Sequence, residues 1–131
     1  MVRRTICSTL MRSQQAEDAM KIATAQTSGI CIVRVQGSIN VTTSTTLDHA
    51  LSALLLARKT KLLLNLEDVD YISSAGLRVL LRTFGRLKDS GGTMRVCSAS
   101  SFVKEVMELC ALDRVIRVLP TEQLAVESML A

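Results

Sequence analysis

Lys61-Leu-Leu-Leu-Asn-Leu66, running on through Glu67-Asp-Val-Asp-Tyr-Ile-Ser-Ser-Ala-Gly-Leu-Arg-Val-Leu-Leu81, is the stretch whose reading decides the fold. Its first six residues form an apolar run of strand length. A strand that is apolar throughout, rather than at every second position, is covered on both faces, which predicts a central strand of a largely parallel sheet. Glu67 to Ile72 reads as the way out of that strand. Ser73-Ser74-Ala75-Gly76 then opens a helix, because hydroxyl side chains favour helix starts over helix interiors. Leu77, Leu80, Leu81, Phe84 and Leu87 follow at helical spacing, and Ser90-Gly91-Gly92 closes the helix, glycine taking the left-handed cap conformation readily.

Outward from this core the same alternation repeats. Met20 to Thr27 reads as a short strand, Thr27-Ser28-Gly29 as a turn, and Ile30 to Val35 as a second, β-branched strand, the pair forming a hairpin. Gly37-Ser38-Ile39-Asn40 breaks that strand. The hydroxyl run Thr42 to Thr46 sits at the start of a helix carrying Leu47, Leu51, Leu54, Leu55 and Arg58. Downstream, Thr93 to Ser98 is a strand. Phe102, Val103, Val106, Met107 and Cys110 mark a helix, Val115 to Leu119 a last strand, and Pro120-Thr121 the start of a final helix. The predicted order is β-β-α-β-α-β-α-β-α. That is an α/β fold with a four- or five-stranded mixed sheet and about four helices, since strands alternating with helices imply parallel crossovers. Residues 1–17 lack a periodic apolar face and are expected to be a mobile extension. Residues 18–131 form one domain, a size typical of single domains.

Composition excludes several classes of function. Aromatic residues make up 2% of the chain, so base stacking of the kind single-strand nucleic-acid modules use has little to work with. The formal net charge of +4 comes with no basic block or helix-turn-helix pattern, and no nucleic-acid partner is expected. No apolar run approaches the ~18 residues of a membrane span, and the start MVRRTICSTLM has too short an apolar stretch for a signal peptide, so the expectation is a cytoplasmic protein with no membrane insertion. Cys7, Cys31, Cys97 and Cys110 include no C-x-x-C pair, and the single His49 has no cysteine close by, so neither a metal nor a cofactor is expected. Cys31, Cys97 and Cys110 lie in apolar runs and read as buried reduced thiols.

Chemistry concentrates at Ser73 and Ser74. The first amides of a helix lack intrahelical acceptors and the helix dipole is positive there, so a phosphate on Ser74 would be stabilised in place. On physical grounds alone the plainer alternative is that both serines merely cap the helix. Arg78, Arg82 and Arg86, at i, i+4 and i+8, form one stripe, either a solvated face or a docking rim for an acidic partner. A Ser-His-Asp site built from Ser74 and His49 has no support in the spacing. Ser90-Gly91-Gly92 lacks the Lys-Ser/Thr of a phosphate loop.

The segment Tyr71-Ile-Ser-Ser-Ala-Gly-Leu-Arg-Val-Leu-Leu81 behind KLLLNLEDVD resembles the signature loop of STAS domains, and within them the stand-alone anti-sigma factor antagonists of bacterial partner-switching systems. The likeness spans about residues 20 to 130 in element order. It implies a non-enzymatic regulator. The unphosphorylated form would bind an anti-sigma factor that doubles as a serine-protein kinase and so release the sigma factor. Phosphorylation of Ser74 would reverse this, and a serine phosphatase would reset it transiently. Asn40, Ser73, Ser74, Ala75, Gly76, Arg78 and Arg82 are the implied partner-binding residues, on a monomer or weak dimer. The chain departs from many members in carrying Ser73 and Asn40 where they carry aspartates, while Asp68 and Asp70 lie close by in sequence. Two alternatives belong to other classes: a STAS scaffold subunit of a signalling or lipid-transport assembly, and a small hydrolase using Ser74 as nucleophile.

Overall fold

Leu62 to Leu66 are each buried, and they alternate between two separate apolar clusters. Leu62, Leu64 and Leu66 enter the larger cluster and Leu63 the smaller, on the opposite face of the sheet. The computed structural model describes residues 20–130, so the expectation of a mobile extension at 1–17, and Cys7 with it, lies outside the described residues.

The strands are β1 (Lys21–Thr27), β2 (Ile30–Ile39), β3 (Lys61–Ile72), β4 (Thr93–Cys97) and β5 (Arg117–Leu119). The helices are α1 (Val41–Leu56), α2 (Ser74–Asp89), α3 (Ser101–Leu109) and α4 (Glu122–Leu130), with a 3₁₀ turn at Leu112–Arg114. The sheet runs β1-β2-β3-β4-β5. β1 is antiparallel to β2 and every other pairing is parallel. This is the expected order, with five strands and β3 at the centre.

The two sheet faces are covered unequally. Leu47 and Leu51 of α1, Leu80 and Leu87 of α2, and Val103 and Met107 of α3 pack on one face against Val33, Val35, Leu64 and Val96. Among the described residues α4 covers the other, setting Ala125 and Met129 on Ile30, Ile32, Leu63 and Leu119.

Several boundaries differ from the sequence reading. Gly37 and Ser38 do not end β2. The strand continues to Ile39 through two irregularities in its register with β3, one of them at Gly37, whose φ of +116° suits glycine. β3 likewise runs on through Glu67–Ile72, because the extended β2 supplies it with a partner, Ser38 opposite Tyr71 and Ile39 opposite Ile72. The cap of α1 is Asn40 rather than a residue of the hydroxyl run. The Asn40 side chain accepts from the Thr43 amide, and Thr43 Oγ1 accepts from the Asn40 amide in return, a reciprocal capping box. β5 is shorter than expected, since Ile116 is taken up by the turn before it. Leu81 and Phe102 face outward, and Cys110 is an exposed thiol where a buried one was expected, because α3 ends at Leu109. Cys31 and Cys97 are buried.

Gly76 sits where α2 crosses the ends of β2 and β3. A Cβ there would lie 2.6 Å from Ile39 Cγ2 and 2.9 Å from Ile72 Cγ1. Both neighbours are β-branched and stiff at the first side-chain torsion, so they cannot swing aside. Gly76→Ala is therefore expected to destabilise by about 1–3 kcal/mol through overpacking, a fall of several degrees in Tm by calorimetry. An unchanged Tm would show that the helix start has room to shift.

Candidate functional site

The carboxyl ends of β2 and β3 deliver α1 and α2 side by side. The Ser73 amide donates to the Ile39 carbonyl at 2.8 Å, which ties the start of α2 to the end of β2. Thr43 Oγ1 of α1 donates to the Ser38 carbonyl at 2.7 Å, which ties α1 to the same strand end. Asn40, Ser73, Ser74, Ala75 and Gly76 are thereby gathered at one end of the sheet.

The two serines are not equivalent. Ser73 is buried and is the cap of α2, its Oγ accepting from the Gly76 amide at 3.2 Å. Ser74 is the first helical residue and is exposed. Ala75 is half-buried and Gly76 buried. Asn40 is half-buried, with its side chain engaged in capping α1.

Negative charge approaches this end through Asp70, whose Oδ1 accepts from Ser38 Oγ at 2.7 Å. Beside it Tyr71 stacks on Phe102 at the start of α3, ring centroids 6.0 Å apart. Tyr71 is 44% and Phe102 47% exposed. The chain has three aromatic residues in all, so two of them form a half-exposed pair that begins three residues before Ser74.

The arginine stripe is divided. Arg82 Nη2 lies 3.1 Å from Asp48 Oδ2 of α1, and Arg86 Nη1 donates to Ser52 Oγ at 3.1 Å. These two contacts join α2 to α1, and both arginines remain exposed to solvent. Arg78 is exposed and has no ion pair among the described residues. His49 is exposed on α1 and makes no hydrogen bond to Ser74. No three His, Cys, Asp or Glu side chains among the described residues are grouped to hold a metal ion, and no described helix is long and apolar enough to cross a membrane.

A polar network at the other side of the sheet was not singled out from the sequence. Arg34 of β2 donates to both carboxylate oxygens of Glu122, Nε to Oε1 at 3.1 Å and Nη2 to Oε2 at 2.9 Å. Asn65 Nδ2 donates to Glu122 Oε1 at 2.8 Å, and Asn65 Oδ1 accepts from the Glu67 amide at 2.9 Å. These residues floor an open cavity of about 590 Å³, also lined by Asp68 and Ser98. The signal in the sequence was the one amide inside KLLLNL. A buried polar side chain must find partners, and here it finds the start of α4. Beside the network, burial pushes the Cys97 thiol up to about 11, so it stays protonated at neutral pH.

The Arg34 guanidinium and then the Asn65 amide hold the Glu122 carboxyl below its ordinary value. A depressed carboxylate stabilises the fold above its unfolded pKa, about 4.3, and that contribution is lost as pH falls through the folded value. Glu122→Gln is expected to lower Tm by roughly 3–5 °C at pH 7, equivalent to about 1 kcal/mol. The gap from wild type should narrow in melts carried below about pH 4. A gap independent of pH would mean that the charge of Glu122 contributes nothing.

Residues 21–125 match the STAS domain family. BtrV of Bordetella bronchiseptica, which carries the name of an anti-sigma factor antagonist, is 33% identical over 90 residues, covering 69% of this chain and 78% of BtrV. Among solved structures, an anti-sigma factor antagonist from Mycobacterium paratuberculosis superposes with a TM-score of 0.81 at 23% identity, over 87% of this chain and 97% of that one. The Bacillus cell fate determinant SpoIIAA in its phosphorylated form superposes with a TM-score of 0.66 at 16% identity, over 83% of this chain and 99% of that one.

Proposed function

The chain belongs to the STAS domain family, and from that premise we propose that it is an anti-sigma factor antagonist switched by phosphorylation of Ser74. The unphosphorylated form binds an anti-sigma factor that is also a serine-protein kinase, and the sigma factor is released. The kinase transfers a phosphoryl group to Ser74, binding is lost, and a serine phosphatase restores the first state. The protein itself works as a binding module and not as an enzyme.

The observation that carries this reading is the unequal burial of the two serines. Ser73 is enclosed and its oxygen is occupied by the Gly76 amide, so a kinase reaching for Ser73 would have to unmake the helix cap. Ser74 presents its hydroxyl outward on the first turn, where a phosphate meets unpaired amides and the positive end of the helix dipole. The fold therefore tolerates the charge that a partner fitted to a neutral serine does not.

The partner face extends from Ser74 in two directions. Arg78 and Leu81 continue it along α2, and the Tyr71–Phe102 pair flanks it as a half-exposed aromatic surface of the type that dominates binding energy at interfaces. Support comes also from the fold neighbour SpoIIAA, whose structure is known in a phosphorylated form.

Phosphate adds about −1.5 to −2 charges at neutral pH. A loss of only ~3 kcal/mol weakens binding more than a hundredfold. Ser74→Asp is expected to keep the wild-type Tm and bind the anti-sigma partner at least a hundredfold more weakly. Ser74→Ala should bind as wild type does and accept no phosphate. Ser73→Ala should still accept phosphate, while losing about 1 kcal/mol of stability with its cap. The measurements are intact-mass analysis after incubation with the cognate kinase and ATP, and a binding titration. Phosphate found on Ser73, or unchanged binding by Ser74→Asp, overturns the switch and leaves the scaffold subunit as the reading to pursue. Phe102→Ala, at a half-exposed position, should leave Tm within a few degrees and cost more than tenfold in affinity, about 1.4 kcal/mol. Full affinity in that variant would remove the aromatic pair from the interface.

A further inference from the structure

Of the three arginines on the α2 stripe, two are engaged with α1 and one is not. Arg82 pairs with Asp48 and Arg86 donates to Ser52, whereas Arg78 is exposed with no ion pair among the described residues. Arg78 stands four residues after Ser74 in the same helix, and positions i and i+4 are neighbours on a helix surface, with Cβ atoms roughly 5–6 Å apart. The acidic member precedes the basic one once Ser74 is phosphorylated, the order that also suits the helix dipole. A guanidinium reaches a phosphate across that gap and can grip two of its oxygens at once.

We infer that Arg78 is an internal receiver for the phosphate on Ser74. Phosphorylation then changes two features of the partner face together: a negative group is added, and the one unengaged cation of the stripe is withdrawn into an ion pair within the protein. A partner that uses Arg78 as a donor in the unphosphorylated state loses it in the phosphorylated one. The other two arginines are already engaged with Asp48 and Ser52 of α1, and both lie further along the helix. Arg78 acts here through position, holding the modified side chain along the helix, and takes no part in phosphoryl transfer.

This inference rests on the proposal that Ser74 is the phosphorylated residue, and the test separates the two. The full chain is prepared with phosphoserine encoded at position 74, so that no kinase is needed, and the phosphate is titrated by ³¹P NMR. Phosphoserine ordinarily loses its second proton near pH 6. An Arg78 pair that strengthens on full ionisation should hold this titration about half a unit lower in wild type than in Arg78→Gln. Arg78→Lys should recover part of the shift, since an ammonium supplies the charge without the fork. The helix amides act in all three proteins, so the difference isolates Arg78. Raising ionic strength to about 1 M should shrink it, the pair being exposed. Identical titrations in wild type and Arg78→Gln, within about a tenth of a unit on the scale of that expected shift, overturn the receiver while leaving the switch intact. A kinase that never modifies Ser74 overturns the switch and leaves the titration result standing as a property of the encoded phosphoprotein.

Discussion

One hydrogen bond determines how the candidate site is presented: the Ser73 amide donating to the Ile39 carbonyl at 2.8 Å. It requires β2 to continue past Val35 as far as Ile39, which in turn gives β3 a neighbour out to Ile72. It brings the first turn of α2 so close to both strand ends that only glycine fits at position 76. With Ser73 turned inward to cap the helix and Gly76 pressed on Ile39 and Ile72, helix periodicity leaves Ser74 pointing out. Exposure of the candidate acceptor is thus a consequence of packing behind it. An acceptor held on a regular element by buried contacts is presented in one geometry, which suits recognition by a partner better than a serine on a loose loop would.

The architecture was legible because its strongest signal is local. Five consecutive buried residues, Leu62 to Leu66, state that a strand is covered on both faces, and the flanking helical spacing states by what. The start of α2 was legible for the same reason, since hydroxyl residues before an apolar helical repeat have a specific role in satisfying amides. What the sequence did not disclose depends on pairing between distant segments. Glu67 to Tyr71 is too polar to read as strand, and is strand because β2 lies beside it. Gly37-Ser38 has the composition of a strand end but is an irregularity within a continuous strand, a distinction settled only by the partner strand. The Arg82–Asp48 contact and the Arg34–Glu122–Asn65 network join residues 34, 57 and 88 positions apart, and no periodicity encodes such distances.

The two faces of the sheet also divide the labour of stability. Three helices bury the larger cluster, and α1 and α2 are further joined by Arg82 and Arg86. Among the described residues the other face is covered by α4, nine residues long, whose first turn is held by the carboxylate of Glu122 between Arg34 and Asn65. An isolated helix of that length is marginal in water, so its position rests on tertiary contacts. The candidate switch lies on the well-supported side. Charge added at Ser74 would therefore fall over the larger of the two apolar clusters, on an exposed side chain that no core contact depends on.

The charge pattern around Ser74 completes that argument. The resemblance to STAS antagonists implies aspartate at the positions of Ser73 and Asn40, and each residue is here a neutral cap of a helix start, accepting from Gly76 and from Thr43. Two carboxylates at those places would have favoured the helix dipoles but would have repelled a phosphate on the adjacent serine. Neutral caps retain the hydrogen bonds and remove that repulsion. The carboxylate that remains nearby, Asp70, is tethered to Ser38 on the neighbouring strand rather than placed on the helix itself. With Arg78 as the nearest unengaged cation along α2, the local field around Ser74 is more favourable to a phosphate than the same loop flanked by two acids would be. If Ser74 carries the proposed phosphate, the neutral caps at 40 and 73 leave it free of carboxylate repulsion from either helix start.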